Sequence, residues 1–165
     1  MIAVADSSPL IILAKLGCLD FLKRVFSRVY VSREVHYETV VAGAGLPGAS
    51  EVSNADWIEV KSIQDPAVLR EAQRTHGLGP GEMSTISLAK ALSANPVLLD
   101  DHRARRLAKA EGLEVLGSVG LLETFYRHQY LTDLRSAFHQ LLVHNVYIDQ
   151  RLLDRRLRSL GLPNL

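Results

Sequence analysis

The chain has 165 residues, of which 47% are hydrophobic and 22% charged, and its formal net charge is +1. This length and composition suit a single globular domain with one core. The near-neutral charge argues against a protein that coats nucleic acid by bulk electrostatics, but it leaves room for a basic patch beside an acidic pocket. Cys18 is the only cysteine, which excludes an internal disulfide and cysteine-rich zinc sites.

Short apolar runs alternate with helical patterns along the chain. The predicted strands cover residues 2–5, 28–31, 57–63, 96–99 and 113–116. Helical patterns cover 8–16, 18–26, 32–42, 65–75, 82–93 and 101–111, with glycine-rich breaks at 43–48 and 77–81. The first break leads into a surface excursion that ends near residue 56. Two or three further helices are expected over the rest of the chain.

This alternation predicts an α/β fold with right-handed βαβ units and a mostly parallel five-stranded sheet. We expect one domain over residues 1–165, with a core over about 1–125 and a helical extension over about 126–165. No apolar stretch approaches the roughly 20 residues that span a bilayer, and the N-terminus lacks a signal-peptide pattern. We therefore expect a cytoplasmic protein with no membrane contact.

Sites in parallel sheets lie beyond the carboxyl ends of the strands, so the residues after each strand are the first candidates. Asp6 follows the first strand. Pro9 suits the first helical position, which makes Ser8 the predicted helix cap and leaves Asp6 without a capping role. Glu38 lies at helical spacing from Val35, on an apolar stripe where a carboxylate needs a partner or a cation. A structural salt bridge is the alternative for Glu38.

Two further acidic positions follow the same logic. Glu82 opens a helix after the glycine-rich loop, where it could simply complement the helix dipole, yet it also begins an inward-facing stripe with Ile86. Asp100 and Asp101 follow the fourth strand, and one of them is a natural helix cap. Together these positions predict a group of carboxylates that hard divalent cations such as Mg²⁺ or Mn²⁺ prefer as ligands.

The segments around these acids resemble the PIN-domain family, in its compact prokaryotic branch close to the toxin ribonucleases of toxin–antitoxin pairs. The matching segments are VADSSPLIILAKLG, VYVSREVHYETV, LGPGEMSTISLAKAL and PVLLDDHRARRLAKAEGLEVLGSVGLL. The resemblance implies a three-layer α/β/α sandwich. It also implies an acidic pocket that holds one or two Mg²⁺ or Mn²⁺ ions and hydrolyses RNA phosphodiester bonds, leaving a 5′-phosphate and a 3′-hydroxyl.

The resemblance carries the catalytic and metal-binding roles onto Asp6, Glu38, Glu82 and Asp100 or Asp101. Two departures matter. Much of the wider family has Asp where this chain has Glu82, and many relatives have Thr or Ser two residues before the last acid, where this chain has Leu99. Strand register favours Asp101 as the fourth acid, and Asp100 stays a candidate.

Substrate contacts are predicted outside the acidic pocket. Arg103 and Arg106 share a helix face, and Arg103 lies nearest the acids; a solvated surface is the alternative for both. Ser7 could orient a phosphate or a metal-bound water, or serve only as a turn hydroxyl. The arginine-rich tail carries two amphipathic helical patterns, which could pack on the domain or form a partner surface. The family resemblance makes a homodimer and a small antitoxin plausible partners.

Two other classes of function compete with a nuclease. The first is a catalytically silent PIN-fold module that binds nucleic acid or protein, which the full set of acids disfavours. The second is a receiver-like or phosphatase-like domain that uses Asp6 as phospho-acceptor. The absence of a D-x-D motif at Asp6, and of a receiver-type lysine after the fifth strand, argues against this class.

Overall fold

The computed structural model describes residues 1–63 and 65–165. The chain divides into two compact units, Met1–Gly117 and Ser118–Leu165. Among the described residues, no helix is long and apolar enough to cross a membrane.

The first unit is built on five parallel strands in the order β3-β2-β1-β4-β5. The strands are β1 Ile2–Ala5, β2 Arg28–Ser32, β3 Ile58–Lys61, β4 Val97–Leu98 and β5 Val115–Leu116. The predicted α/β class and five-stranded parallel sheet are confirmed. Strand β1 lies between β2 and β4, so the strand order reverses at β1, and the crevice beyond its carboxyl end is the expected place for a ligand.

The helices of this unit alternate with the strands. They are α1 Ser7–Lys15, α2 Leu22–Val25, α3 Arg33–His36, α4 Ala49–Ser53, α5 Pro66–His76, α6 Pro80–Leu92 and α7 His102–Ala110. A 3₁₀ turn, Leu19–Phe21, precedes α2, and a π-helix, Tyr37–Val41, continues α3. Proline occurs in the first turn of α1, α5 and α6, where its missing N–H removes no intrahelical hydrogen bond.

Three local predictions were wrong. Helix α1 begins at Ser7 with Asp6 as its N-cap residue, because Pro9 is tolerated throughout the first turn and does not fix the first helical position. The helix predicted over 32–42 changes to π geometry at Tyr37. The surface excursion predicted before residue 56 contains α4, whose N-terminus is satisfied by Glu51, which accepts from the Gly48 N–H at 3.1 Å.

The core of the first unit lies between β1, β4 and the inner faces of α6 and α7. Val4, Val97 and Leu99 are fully buried and belong to one cluster with Ile86 of α6 and Ala104 of α7. Small residues on α7 let it approach the sheet closely. This packing fixes α6 and α7 at the carboxyl end of β1, so the acids at their N-termini are carried to the same edge.

The second unit consists of α8 Ser118–Arg127, α9 Leu134–Val143 and α10 Gln150–Ser159. The side chain of Asp133 caps α9 and that of Asp149 caps α10, each accepting a backbone N–H at 2.9 Å. Its core contains Leu121, Phe125, Phe138, Leu141 and Leu153. The two amphipathic patterns predicted in the tail correspond to α9 and α10.

Candidate active site

Asp6 is the most deeply buried acid at the carboxyl edge of the sheet. Its backbone N–H donates to the carbonyl of Leu98 at 3.0 Å, which ties the end of β1 to β4. Its side chain is 4% exposed, makes no capping hydrogen bond to α1, and leaves Oδ1 without a hydrogen-bond partner among the described residues. A buried carboxylate oxygen in this state is costly unless a cation or proton reaches it.

The electrostatic surroundings of Asp6 are those of an anionic pocket. Its pKa is raised to about 7, chiefly by burial and also by the negative charges of Glu82, Glu38 and Asp100, against the lowering effect of the Ser7 backbone N–H. The structure therefore brings the carboxylates of three other predicted site residues within electrostatic reach of Asp6. A shift of this kind, with like charges as named causes, is typical of functional sites.

Glu38 lies on the π-helix after α3, half-buried between two exposed neighbours, Tyr37 and Val41. The hydroxyl of Ser7 donates to Glu38 Oε2 at 3.2 Å. The carboxylate also lies against Gly81 of α6, because a Cβ added to that glycine would stand 2.6 Å from Oε2. The missing side chain at Gly81 thus makes the space in which the Glu38 carboxylate lies.

Glu82 combines a structural contact with its place in the pocket. Its Oε2 accepts the backbone N–H of Gly79 at 2.6 Å, which satisfies one of the free donors at the start of α6. Among the neighbouring acids, the same side chain makes the largest electrostatic contribution to the raised pKa of Asp6. The predicted helix-terminal and inward-facing interpretations of Glu82 therefore both apply.

The two aspartates after β4 have different surroundings. Asp100 is half-buried, accepts from the Ser8 hydroxyl at 3.3 Å, and contributes to the raised pKa of Asp6. Asp101 is exposed, and its side chain caps α7 by accepting the Ala104 N–H at 2.8 Å. Strand register favours Asp101 as the fourth acid, whereas in the structure it is Asp100 whose charge acts on Asp6.

The sequence analysis did not single out Arg105. Its Nη1 donates to the Leu99 carbonyl at 3.0 Å. A Cβ added to Gly117 would stand 2.3 Å from this Nη1 and 3.0 Å from Asp100 Oδ1. The guanidinium and the Asp100 carboxylate therefore flank one gap at the end of β5. The sequence carries no signal for this contact, since Arg105 lies in a run of cationic residues and the burial of Ala104 beside it is seen only in the structure.

The remaining predicted site residues are Ser7, Arg103 and Arg106. Ser7 contacts Glu38, so its hydroxyl supports an acid in this structure. Arg103 and Arg106 are exposed on α7, and Arg103 Nη2 donates to the carbonyl of His76 at 3.2 Å.

The donor set suits a hard divalent cation, since it consists of carboxylate oxygens around a buried, unpartnered Asp6 Oδ1. In residues 1–63 and 65–165, however, no three acidic, histidine or cysteine side chains stand close enough together to hold an ion in their present rotamers. Glu38, Glu82 and Asp100 each accept a hydrogen bond from a protein donor. The residue types fit a metal, and closure of the ligand set requires side-chain rotation.

The fold and the acids together define an α/β protein with an anionic pocket at the carboxyl ends of β1 and β4. The DUF3368 family model, described as a PIN domain, matches residues 2–162. The chain therefore belongs to the PIN-domain family, whose fold is typically that of metal-dependent nucleases. The resemblance inferred from the acidic segments is confirmed.

One solved structure supports the same fold. It is a PilT N-terminus domain protein from the hyperthermophilic archaeon Sulfolobus solfataricus P2, similar with a TM-score of 0.53 and 16% sequence identity. The match covers 75% of this chain and 92% of that chain. At this identity the likeness concerns the fold alone. No curated protein has a sequence significantly similar to this chain.

Proposed function

We propose that this PIN domain is an Mg²⁺- or Mn²⁺-dependent endoribonuclease that hydrolyses RNA phosphodiester bonds. The observation that carries the proposal is the buried Asp6 carboxylate, one oxygen of which has no hydrogen-bond partner in the described part of the chain, with the like charges of Glu82, Glu38 and Asp100 acting on it. A purely structural acid at this depth would be paired with a cation of the protein. A pocket that concentrates negative charge instead suits a divalent cation, which these carboxylates would hold.

In this proposal Asp6 is the central metal ligand, and Asp100, Glu38 and Glu82 complete the set. Asp100 takes the fourth position because its charge reaches Asp6, while Asp101 serves as the helix cap. When bound, the cation supplies Lewis acidity at the phosphate and at the attacking water.

The neighbouring side chains orient the acids. The Ser7 hydroxyl donates a hydrogen bond to Glu38, and the Ser8 hydroxyl donates one to Asp100. Each of these single hydrogen bonds can break when a ligand competes for the carboxylate. Arg105 lies beside Asp100 and limits the rotation of that carboxylate within the gap at Gly117. The products would be a 5′-phosphate and a 3′-hydroxyl, as in the family that the acidic segments resemble.

The cellular role we propose is that of the toxin of a toxin–antitoxin pair, acting in the cytoplasm as a homodimer. The sequence resemblance to the compact prokaryotic toxins supports this role. The antitoxin would be a small protein that covers the acidic pocket. Exposed apolar side chains beside Glu38, namely Tyr37 and Val41, are compatible with such cover.

A second candidate is a catalytically silent PIN domain that binds nucleic acid or protein. The separation of the acidic side chains in the described residues favours it, since no ready-made ligand set is present. Mn²⁺ binding distinguishes the two candidates.

The decisive experiment measures cleavage of a labelled single-stranded RNA by wild type and Asp6→Asn, with Mg²⁺, with Mn²⁺ and with EDTA. We expect metal-dependent cleavage by wild type only, with 5′-phosphate ends on the products. Equal cleavage by both proteins would assign the activity to a contaminant or another site. In crystals soaked in Mn²⁺, an anomalous peak is expected between Asp6 and Asp100; absence of a peak at saturating Mn²⁺ would favour the silent module.

A further inference from the structure

A cleft of about 300 Å³ lies where the loop between α5 and α6 meets α7. Its volume is at the lower end of the range for small-molecule sites. The lining residues are His76, Leu78, Arg103, Arg106 and Leu107. This cleft contains none of the pocket acids, so it is a separate feature of the same edge of the molecule.

The walls and the floor of the cleft differ in chemistry. Arg103, Arg106 and His76 are exposed and supply cationic or hydrogen-bonding groups, and none of the five described lining residues is acidic. Leu78 is buried and Leu107 half-buried, so they form an apolar floor. Anion-binding walls over an apolar floor suit a ligand that carries both a phosphate and a planar apolar surface.

Arg103 is held in place before any ligand arrives. Its Nη2 donates to the His76 carbonyl at 3.2 Å, across the end of α5. Gly77 has a φ of +66°, and a Cβ there would stand 3.1 Å from Nη2, so the guanidinium lies directly over this glycine. Restricting the guanidinium in this way lowers the conformational entropy that binding must remove.

The cleft adjoins the acidic pocket through both of its walls. The loop that contains Leu78 leads directly into α6, whose first turn carries Glu82. Helix α7, which carries Arg103 and Arg106, begins two residues after Asp100. The hydrogen bond from Arg103 to His76, the last residue of α5, ties the start of α7 to the residue that precedes this loop. A nucleic-acid strand that crosses the acids can therefore continue over the cleft.

We propose that this cleft is a subsite for one unpaired nucleotide of the substrate strand, next to the scissile bond. Arg103 and Arg106 bind its phosphate, and its base lies on Leu78 and Leu107 against the His76 ring. This inference rests on the proposed ribonuclease function and adds to it the side chains that would hold the nucleotide beside the scissile bond. A base engaged in a pair cannot enter a cleft of this size, whereas an unstacked base presents a face to such a surface.

The test measures binding by the full chain in EDTA, which separates it from cleavage. The probes are 5′-fluorescein-labelled decauridylate and decaadenylate, followed by fluorescence anisotropy over a series of salt concentrations. We expect Arg106→Ala and Arg103→Ala each to weaken binding about tenfold. Each should also reduce the magnitude of the log–log salt slope by about 0.7, the value for one lost contact to a single strand.

His76→Ala should weaken binding about fivefold through lost stacking, with no change in the salt slope. It should also reduce the difference in affinity between decauridylate and decaadenylate. The matched control is Arg28→Ala. Arg28 begins β2 at the opposite, amino edge of the sheet, so removing the same charge there should leave both affinity and slope unchanged. Circular dichroism melts check that every variant is folded.

Three outcomes overturn the subsite. They are unchanged affinity in the Arg103→Ala/Arg106→Ala double variant, equal competition by a blunt RNA duplex and by unlabelled decauridylate, and equal competition by inorganic pyrophosphate and uridine monophosphate. The last would reduce the cleft to an anion site without a base. Failure of the ribonuclease proposal has a different signature, because wild type would then cut no RNA with Mg²⁺ or Mn²⁺ while the binding pattern persisted.

Discussion

Two acids in this chain are equally buried and have opposite surroundings. Asp6 in the first unit and Glu123 in the second are each 4% exposed. Glu123 receives both a terminal and an inner N–H of the Arg156 guanidinium, which joins α8 to α10. Asp6 has an unpartnered oxygen and three negative neighbours. Burial of a carboxylate therefore does not distinguish structure from function here; the sign of the charges around it does.

The largest expected effect comes from removing the charge of Asp6. Loss of a residue that supports a metal ligand typically costs 10–100-fold in activity, so loss of the central ligand in Asp6→Asn should cost more than about 100-fold in kcat/KM. The assay is RNA cleavage at saturating Mn²⁺. Retention of more than a tenth of the activity would remove Asp6 from the centre of the site.

The same residue should make the metal-free protein sensitive to pH. Because folding raises the pKa of Asp6 from 3.8 to about 7, its contribution to stability is full below pH 4 and is lost as the pH rises through 7. Asp6→Asn lacks this loss. In EDTA, its free energy of unfolding relative to that of wild type should therefore rise by on the order of 3 kcal/mol between pH 4 and pH 8. Urea denaturation at the two pH values measures it. A constant difference between the two proteins would show that Asp6 titrates normally.

For Glu123, the acid that is paired with an arginine, removal of the partner should destabilise the fold. Arg156→Ala leaves Glu123 buried without its partner, which should lower the free energy of unfolding by about 2 kcal/mol; fully buried pairs cost more, and Arg156 is itself half-exposed. Thermal and urea denaturation at pH 7 provide the measurement. Arg155→Ala removes an exposed arginine from the same helix and should change stability by less than about 0.5 kcal/mol. Similar losses in both variants would mean that the pair adds nothing specific.

The smallest expected effect tests the space around Glu38. In Gly81→Ala the new methyl group would meet Oε2 at 2.6 Å, so the carboxylate must move. We expect about a tenfold loss of kcat/KM and about 1 kcal/mol of destabilisation. A double-mutant cycle with Glu38→Ala provides the control, because Gly81→Ala should cost little further activity when the carboxylate is already absent. If the losses of kcat/KM in the two single variants add up in the double variant, Gly81→Ala does not act through the Glu38 carboxylate.

The sequence predicted those features that depend on local patterns. The strand–helix alternation predicted the parallel sheet, and the position of Asp6 after the first strand placed it at the carboxyl edge. The helix start at α1 was misjudged because Pro9 is compatible with any position of the first turn. A proline restricts a boundary to a few residues, and the choice among them depends on tertiary contacts.

Features that depend on non-local contacts could not be predicted. The choice between Asp100 and Asp101 depends on where β4 ends, and one residue of register exchanges their directions. The gap shared by Asp100 and Arg105 is created by Gly117, which lies between β5 and α8, far from both residues in sequence. The π geometry at Glu38 leaves no mark in residue spacing, since it differs from an α-helix by one residue in a single turn.

That π-helix makes chain length, rather than side-chain identity, the sensitive property of the Tyr37–Val41 segment. An α-helix turns by about 100° for each residue. Deletion of one residue between Glu38 and Gly43 would relax the wide turn to ordinary helical pitch and rotate the chain on one side of it by that angle. In a library of variants, this segment should accept many substitutions at its exposed positions and reject single-residue insertions and deletions.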